Sequence, residues 1–405
     1  MLVSTLRIAT LTAAGWLAGA CLAGAAPAPP AGAASASASS PAPTPQLAPG
    51  VAPRAPLSAA QERYLALAQA GVATAEQRWR NRRLGWYDER LNDHERYPLA
   101  TIWGIVPLFE SLDAIAIAQP SAANLHALAV FAAGAERYLN RGLRPTPGYS
   151  PYPGDREANT ETWFDDNGWW GLAFVEAYRA TGTRRYLTDA ERALRYIAAA
   201  GWDPGSGGIW WNTEHPFKSG PALASDTLLA TLLYQQTGSS FALAQAQKFL
   251  AWANTSGFSA ANGLYADSSV NSTPIDYVEA PLIYAQAALC RLTGAQADCA
   301  RAEALTQTSL ARFGYLLDFS PQYDAIYLQW MLALYALDGD GTLYQLAADN
   351  ARDAQTRAAN GEGLYLLSWN GQALPAIDAQ PGMLQTQAAT TSLFAWLAVY
   401  PPPGS

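Results

Sequence analysis

From Leu57 onward, apolar residues recur at three- and four-residue spacing, the period of a helix, and the strict alternation of strands is scarce. Twelve helical segments are predicted, beginning near Leu57, Pro98, Ser121, Asp166, Arg185, Ala222, Phe241, Tyr277, Ala297, Gln322, Thr342 and Gly382. They alternate between two kinds. Between Trp169 and Tyr178 only Glu176 is charged, so that segment must be covered on most sides. The next segment sets Tyr186, Leu187, Ala190, Ala193, Leu194 and Ile197 on one face and Asp189, Glu191, Arg192 and Arg195 on the other, so only a stripe of it is buried.

The turns between such pairs repeat. Tyr178-Arg-Ala-Thr-Gly182, Tyr234-Gln-Gln-Thr-Gly238, Cys290-Arg-Leu-Thr-Gly294 and Tyr335-Ala-Leu-Asp-Gly339 each end an apolar segment on a glycine suited to the left-handed stop position. The glycines stand 56, 56 and 45 positions apart, a period that marks stacked helical hairpins. Six hairpins of alternating inner and outer helices predict an all-α fold, an (α/α)6 barrel. The competitor is an open solenoid. The apolar last segment, from Gly382 to Tyr400, lacks the polar outer face of a solenoid cap and favours closure.

Outside this region the composition changes. Residues 1–25 have the layout of an export signal: Arg7, an apolar run from Ile8 to Leu17, then small residues. Cys21 sits where a lipoprotein signal would be cleaved and acylated, so a lipid anchor and plain cleavage are both open. Residues 26–56 are Ala, Pro and Ser, too poor in large apolar groups for a core, and read as a linker; 57–405 then form the folded domain. Cys290 and Cys299, nine positions apart, are either a disulfide across a helical turn or two buried thiols. An exported, monomeric protein is expected, touching a membrane only through Cys21.

A net charge of −8 with 25 Lys and Arg among 405 residues excludes a nucleic-acid partner, which needs clustered cations. No cofactor or metal is expected: His94, His126 and His215 are scattered, and Asp338-Gly-Asp-Gly-Thr342 lacks the remaining ligands of a calcium loop and reads as a turn. Fourteen Trp and twenty Tyr supply flat faces for a core and for stacking on sugar rings.

Polar oddities gather where the inner helices begin, at one rim of the barrel. Trp103 lies near the second segment, and Asp165, Asp166, Asn167, Trp169 and Trp170 open the fourth. Trp210, Trp211 and Asp226 belong to the sixth, Tyr277 and Glu279 to the eighth, Tyr323 and Asp324 to the tenth. Carboxylates and aromatics on a concave rim suit a polysaccharide or oligosaccharide, offering acceptors to hydroxyls and rings to sugar faces. Asp226 and Asp324 taken singly read as helix-start or solvent-facing acids. Asp165 and Asp166 ask for more, because adjacent carboxylates among tryptophans repel and lose water, which raises at least one pKa.

The run Trp163-Phe-Asp-Asp-Asn-Gly-Trp-Trp-Gly-Leu-Ala173, the following Thr181-Gly182 turn, and Gly207-Gly-Ile-Trp-Trp-Asn212 resemble the signature of glycoside hydrolase family 76, the endo-α-1,6-mannanases. The resemblance spans roughly residues 60–400. It implies an (α/α)6 fold and hydrolysis with retention, with Asp165 as nucleophile, kept ionised by the helix N-terminus, and Asp166 as general acid/base. The chain departs from the family at Tyr277-Val278-Glu279 in place of Tyr-Asn-Gln, at Tyr323-Asp324-Ala325-Ile326 in place of Phe-Lys-Gly-Ile, and at Asp226 in place of Asn. These changes add acid and remove a base, which disfavours anionic sugars. The leading expectation is an endo-glycosidase on an α-linked glycan, foremost α-1,6-mannan. A transglycosidase using the same intermediate and a non-catalytic glycan-binding protein are the alternatives.

Overall fold

The computed structural model describes residues 56–91, 99–255, 258, 263–374 and 382–405. The export signal, Cys21, nearly all of the linker and His94 lie outside the described residues. Every one of the twelve segments is a helix: α1 (Ala59–Arg78), α2 (Ile102–Ala118), α3 (Ala122–Ala135), α4 (Phe164–Thr181), α5 (Arg184–Tyr196), α6 (Gly220–Thr237), α7 (Ser240–Thr255), α8 (Asp276–Thr293), α9 (Gln296–Phe313), α10 (Pro321–Asp338), α11 (Gly341–Asp353) and α12 (Leu384–Val399). Two antiparallel hairpins, β1 (Arg80–Asn81) with β2 (Trp86–Tyr87) and β3 (Leu139–Asn140) with β4 (Gly148–Tyr149), join α1 to α2 and α3 to α4. Strands of two residues are too short to show alternation in a sequence.

The even-numbered helices form a closed inner ring. Each packs on the next, α2 on α4, α4 on α6, α6 on α8, α8 on α10 and α10 on α12, and α12 returns to α2. The chain is therefore a barrel and not an open solenoid. An inner helix has neighbours on most sides, which is why α2 from Ile102 to Ala118 leaves only Trp103 incompletely buried. An outer helix rests on one flank, and α5 buries Tyr186, Leu187, Ala190, Ala193 and Leu194 while Arg185, Glu191 and Arg195 stay in water or at its edge.

Local signals fix where the helices begin and end. Ser58 and Gln61 form a reciprocal capping box at α1, and the Ser121 and Ser219 hydroxyls accept first-turn N–H groups of α3 and α6. Gly182, Gly238, Gly294 and Gly339 hold φ between 67° and 82°, and each donates its N–H to the carbonyl four residues back, at Tyr178, Tyr234, Cys290 and Tyr335. The α8–α9 turn is also closed by a Cys290–Cys299 disulfide with Cα atoms 5.1 Å apart. Asp338 and Asp340 form a turn, the Asp340 carboxylate capping α11. Among the described residues, no helix is long and apolar enough to cross a membrane and no cluster of His, Cys, Asp and Glu could hold a metal ion.

Candidate active site

Helix α4 starts on the loop that follows α5. Trp163 is extended and pairs with Asn212, and the Phe164 N–H donates to the Trp211 carbonyl, so the first turn of α4 is set by the Gly207–Asn212 stretch. Gly207 and Gly208 have φ of 74° and 81° and lie against the Trp252 ring, where side chains would collide. Asp165 and Asp166 occupy this first turn and keep 4% and 5% of their surface exposed, enough to face a ligand but not bulk water.

The two carboxyls differ in their surroundings. Burial pushes Asp165 up to about 7, while hydrogen bonds from the backbone N–H groups of Asp166 and of Asp165 itself hold it down from a higher value. Its Oδ1 atom has no protein partner. Burial and then the charge of Asp165 push Asp166 well above the carboxylate range. Thus Asp165 is the first of the pair to ionise, at a higher pH than an exposed aspartate at a helix N-terminus, because loss of water outweighs the backbone dipoles.

A third carboxyl stands behind them. Asp226, expected as a helix-start or solvent-facing acid, is wholly buried in the second turn of α6. It lies against the α-carbon of Gly168, where a Cβ would collide with Ser225 Oγ and Asp226 Oδ1. Ser225 Oγ donates to Asp226 Oδ1 at 3.2 Å; burial and then Asp165 push the Asp226 carboxyl well up.

Across the ring lies an aromatic wall. Trp103 stands edge-on to Tyr323 (5.3 Å between centroids) and Tyr277 (6.3 Å); Tyr277 and Tyr323 stack at 4.5 Å, and Phe319 stacks on Tyr323 at 5.1 Å. Burial, and after it the charges of Tyr323, Asp165, Asp267 and Asp276, push the Tyr277 phenol up, so it stays protonated. Beside the stack, burial raises both Asp276 and Asp324; the charge of Asp276 adds to the rise of Asp324, while the Tyr277 N–H donates to Asp276 Oδ1 at 2.7 Å and holds that carboxyl lower. Asp324, also expected at a helix start or in solvent, does stand in the first turn of α10 but is wholly buried.

Other expected ligand residues have different places. Asn167 accepts from the Tyr149 N–H (2.7 Å) and donates to the Tyr149 and Trp163 carbonyls, so its amide is spent on joining α4 to β4. Trp170 is core, packed between Tyr138, Tyr149 and Phe174, and Trp169 is buried as well. Glu279 is fully buried, accepts the Tyr265 N–H at 2.7 Å and is pushed up to about 8 by burial, which makes it a brace for the loop before α8. Trp210 is stacked on His215 with the Lys218 ammonium 3.0 Å from its centroid, and Trp211 is stacked on Phe217 and edge-on to Trp163. Both remain half-buried at the rim.

Sequence reasoning missed Asp267. Its carbonyl accepts the Gly220 N–H at 2.7 Å, fixing the start of α6, and its half-buried carboxylate, which accepts from Asn271, contributes to the charge around Tyr277. Within Ala266-Asp-Ser-Ser269 it resembles any turn aspartate, and nothing in the pattern distinguishes it.

Residues 146–400 match the model of glycosyl hydrolase family 76. The fold is similar to a family 76 α-mannanase of Bacteroides thetaiotaomicron (19% identity over 83% of this chain and 95% of that one, TM-score 0.74). It is also similar to an α-1,6-mannanase of Salegentibacter, seen with α-1,6-mannotriose in a variant inactivated at two consecutive aspartates (17%, 83% and 99%, TM-score 0.67). A third similar structure is Dfg5 of Chaetomium thermophilum with glucosamine (15%, 85% and 92%, TM-score 0.67). No curated protein matches the sequence.

Proposed function

This chain belongs to glycosyl hydrolase family 76, and on that premise we propose that it is a retaining endo-glycosidase cutting an α-linked glycan, foremost α-1,6-mannan, with Asp165 and Asp166. The observation that carries this reading is the paired carboxyls in the first turn of α4, one served by backbone N–H groups and one not. Retention needs two carboxyls with separate duties. In the first step the Asp165 carboxylate bonds to the anomeric carbon as the glycosidic C–O bond breaks, and the leaving oxygen takes the Asp166 proton. In the second, water attacks the glycosyl ester, gives a proton to the Asp166 carboxylate and frees Asp165. Two inversions restore the starting configuration.

The α-1,6-mannanase of Salegentibacter, inactive when two consecutive aspartates are replaced, supports both the pair and the substrate. The glucosamine complex of Dfg5 makes amino sugars worth including as acceptors. The export-type N-terminus and the Cys290–Cys299 disulfide support work outside the cytoplasm, anchored through Cys21 or released.

Product analysis with linear α-1,6-mannan tests the proposal. Short manno-oligosaccharides are expected from the wild type, and Asp165→Asn and Asp166→Asn should each lower turnover about 10²–10⁴-fold. Products longer than the substrate would identify glycan transfer in place of hydrolysis. Wild-type turnover in either variant removes the pair from the mechanism.

A further inference from the structure

The aromatic wall does not end at the cleft. Beyond Phe319 lies a cavity of about 350 Å³, bounded by the loop Thr273–Ile275 with Asp276 at the start of α8, by Arg312 and Phe313 at the end of α9 with Tyr315 just after it, and by the Leu317–Phe319 segment. That volume is within the range of small-molecule sites, roughly 300–1,000 Å³. We propose that this cavity is an outlying subsite that seats one neutral pyranose ring of the glycan held at Asp165 and Asp166.

Three observations carry the assignment. Tyr315 and Phe319 are 52% and 42% exposed, and among the described residues only six large hydrophobic side chains are this open. Two of the six therefore line one cavity, offering flat faces of the kind that stack on sugar rings. Polar groups at its edge are already held in place: Arg312 Nη1 donates to Tyr315 Oη at 3.3 Å, and Asp318 accepts from Asn370 Nδ2 at 3.3 Å. One donor and one acceptor of opposite charge suit the hydroxyls of an uncharged sugar and give no preference to an ionic one.

The third observation is continuity. Phe319 stacks on Tyr323 with planes 26° apart, Tyr323 stacks on Tyr277 at 25°, and Tyr277 is near enough to Asp165 for its charge to act on the phenol. The cavity and the cleavage point thus belong to one aromatic ramp, which a single glycan chain could follow. Isolated surface aromatics would have no reason to join such a ladder. Only the identity of the chain on the ramp rests on the glycosidase reading.

The test is calorimetric titration of the full chain carrying Asp165→Asn with α-1,6-manno-oligosaccharides of increasing length and, in parallel, with α-1,6-gluco-oligosaccharides. Affinity should rise with length until the chain reaches the cavity. Tyr315→Ala with Phe319→Ala should then remove that last gain, about tenfold, and leave the shortest binding oligosaccharide unaffected, while Phe319→Trp should retain the gain. Equal affinity of the double alanine variant and its parent for long chains would overturn the subsite, as would an equal loss at every length. If the wild type binds these glycans but cleaves none, only the glycosidase reading falls and the length comparison still decides the subsite. If no oligosaccharide binds, both fall.

Discussion

Asp165 and Asp166 are neighbours in sequence and in the same helical turn, yet backbone N–H groups reach one and not the other. Asp165 must be ionised to attack, and burial places its ionisation at about 7; Asp166 must keep its proton, and burial and then the Asp165 charge push it well above the ordinary carboxylate range. The rate should therefore fall as pH drops below about 7 and remain high on the mildly alkaline side, visible in kcat/KM against pH. Burial and then the Asp165 charge push Asp226 well up, so Asp226→Asn, which keeps an uncharged group of the same shape there, should leave activity near pH 7 within about tenfold, roughly 1.4 kcal/mol. A displaced acid limb in that variant would show instead that Asp226 is charged in the working enzyme. Neither Asp→Asn change at the pair should unfold the protein, because an amide relieves repulsion between two poorly hydrated carboxyls.

At the scale of elements, the left-handed glycines set the register of the ring. Each of the four ends an inner helix of 18 residues, α4, α6, α8 or α10, so the first turns of these helices are brought to the same rim. A Cβ at Gly182 would touch nothing within 4 Å, so Gly182→Ala should cost only the backbone strain of a left-handed alanine, about 1–2 kcal/mol in chemical denaturation. A loss well under that would mean the turn relaxes to another stop. Gly168 carries the opposite constraint: its φ is ordinary, and what forbids a side chain there is the approach of α6 with Ser225 and Asp226. The first kind of glycine is legible from the Thr-Gly turns, the second only when two helices are in place.

The whole molecule collects acids in its interior. Away from the site, Glu110 and Asp113 of α2 face Glu176 of α4, whose partner is Arg179 at 2.6 Å. Burial and then Glu176 push Glu110 up to about 8, and burial alone accounts for most of the rise of Glu279 to about 8. Groups whose folded pKa is raised bind protons that the unfolded chain releases above about pH 4. Their contribution is full below that pH and is lost as pH rises through about 8. Tm should accordingly decline from pH 5 to pH 8, and Glu110→Gln should flatten the decline; a Tm that climbs over this interval would contradict it.

By itself the sequence determined the twelve helices, their inner and outer alternation, the hairpin turns and the Asp165–Asp166 pair, because periodicity, turn glycines and adjacent charges are properties of short stretches. Ring closure came close to being legible, through the apolar last helix, but only the contact of α12 with α2 decided it. Tertiary structure alone decided which residues of the rim face the cleft. Trp170, Asn167 and Glu279 turn inward to hold helices and loops, while Asp267, unremarkable in its turn, fixes the start of α6 through its carbonyl. The cause is geometric: whether a polar or aromatic side chain meets a ligand or a neighbouring element depends on residues 14 or more positions away, and no local pattern records that distance.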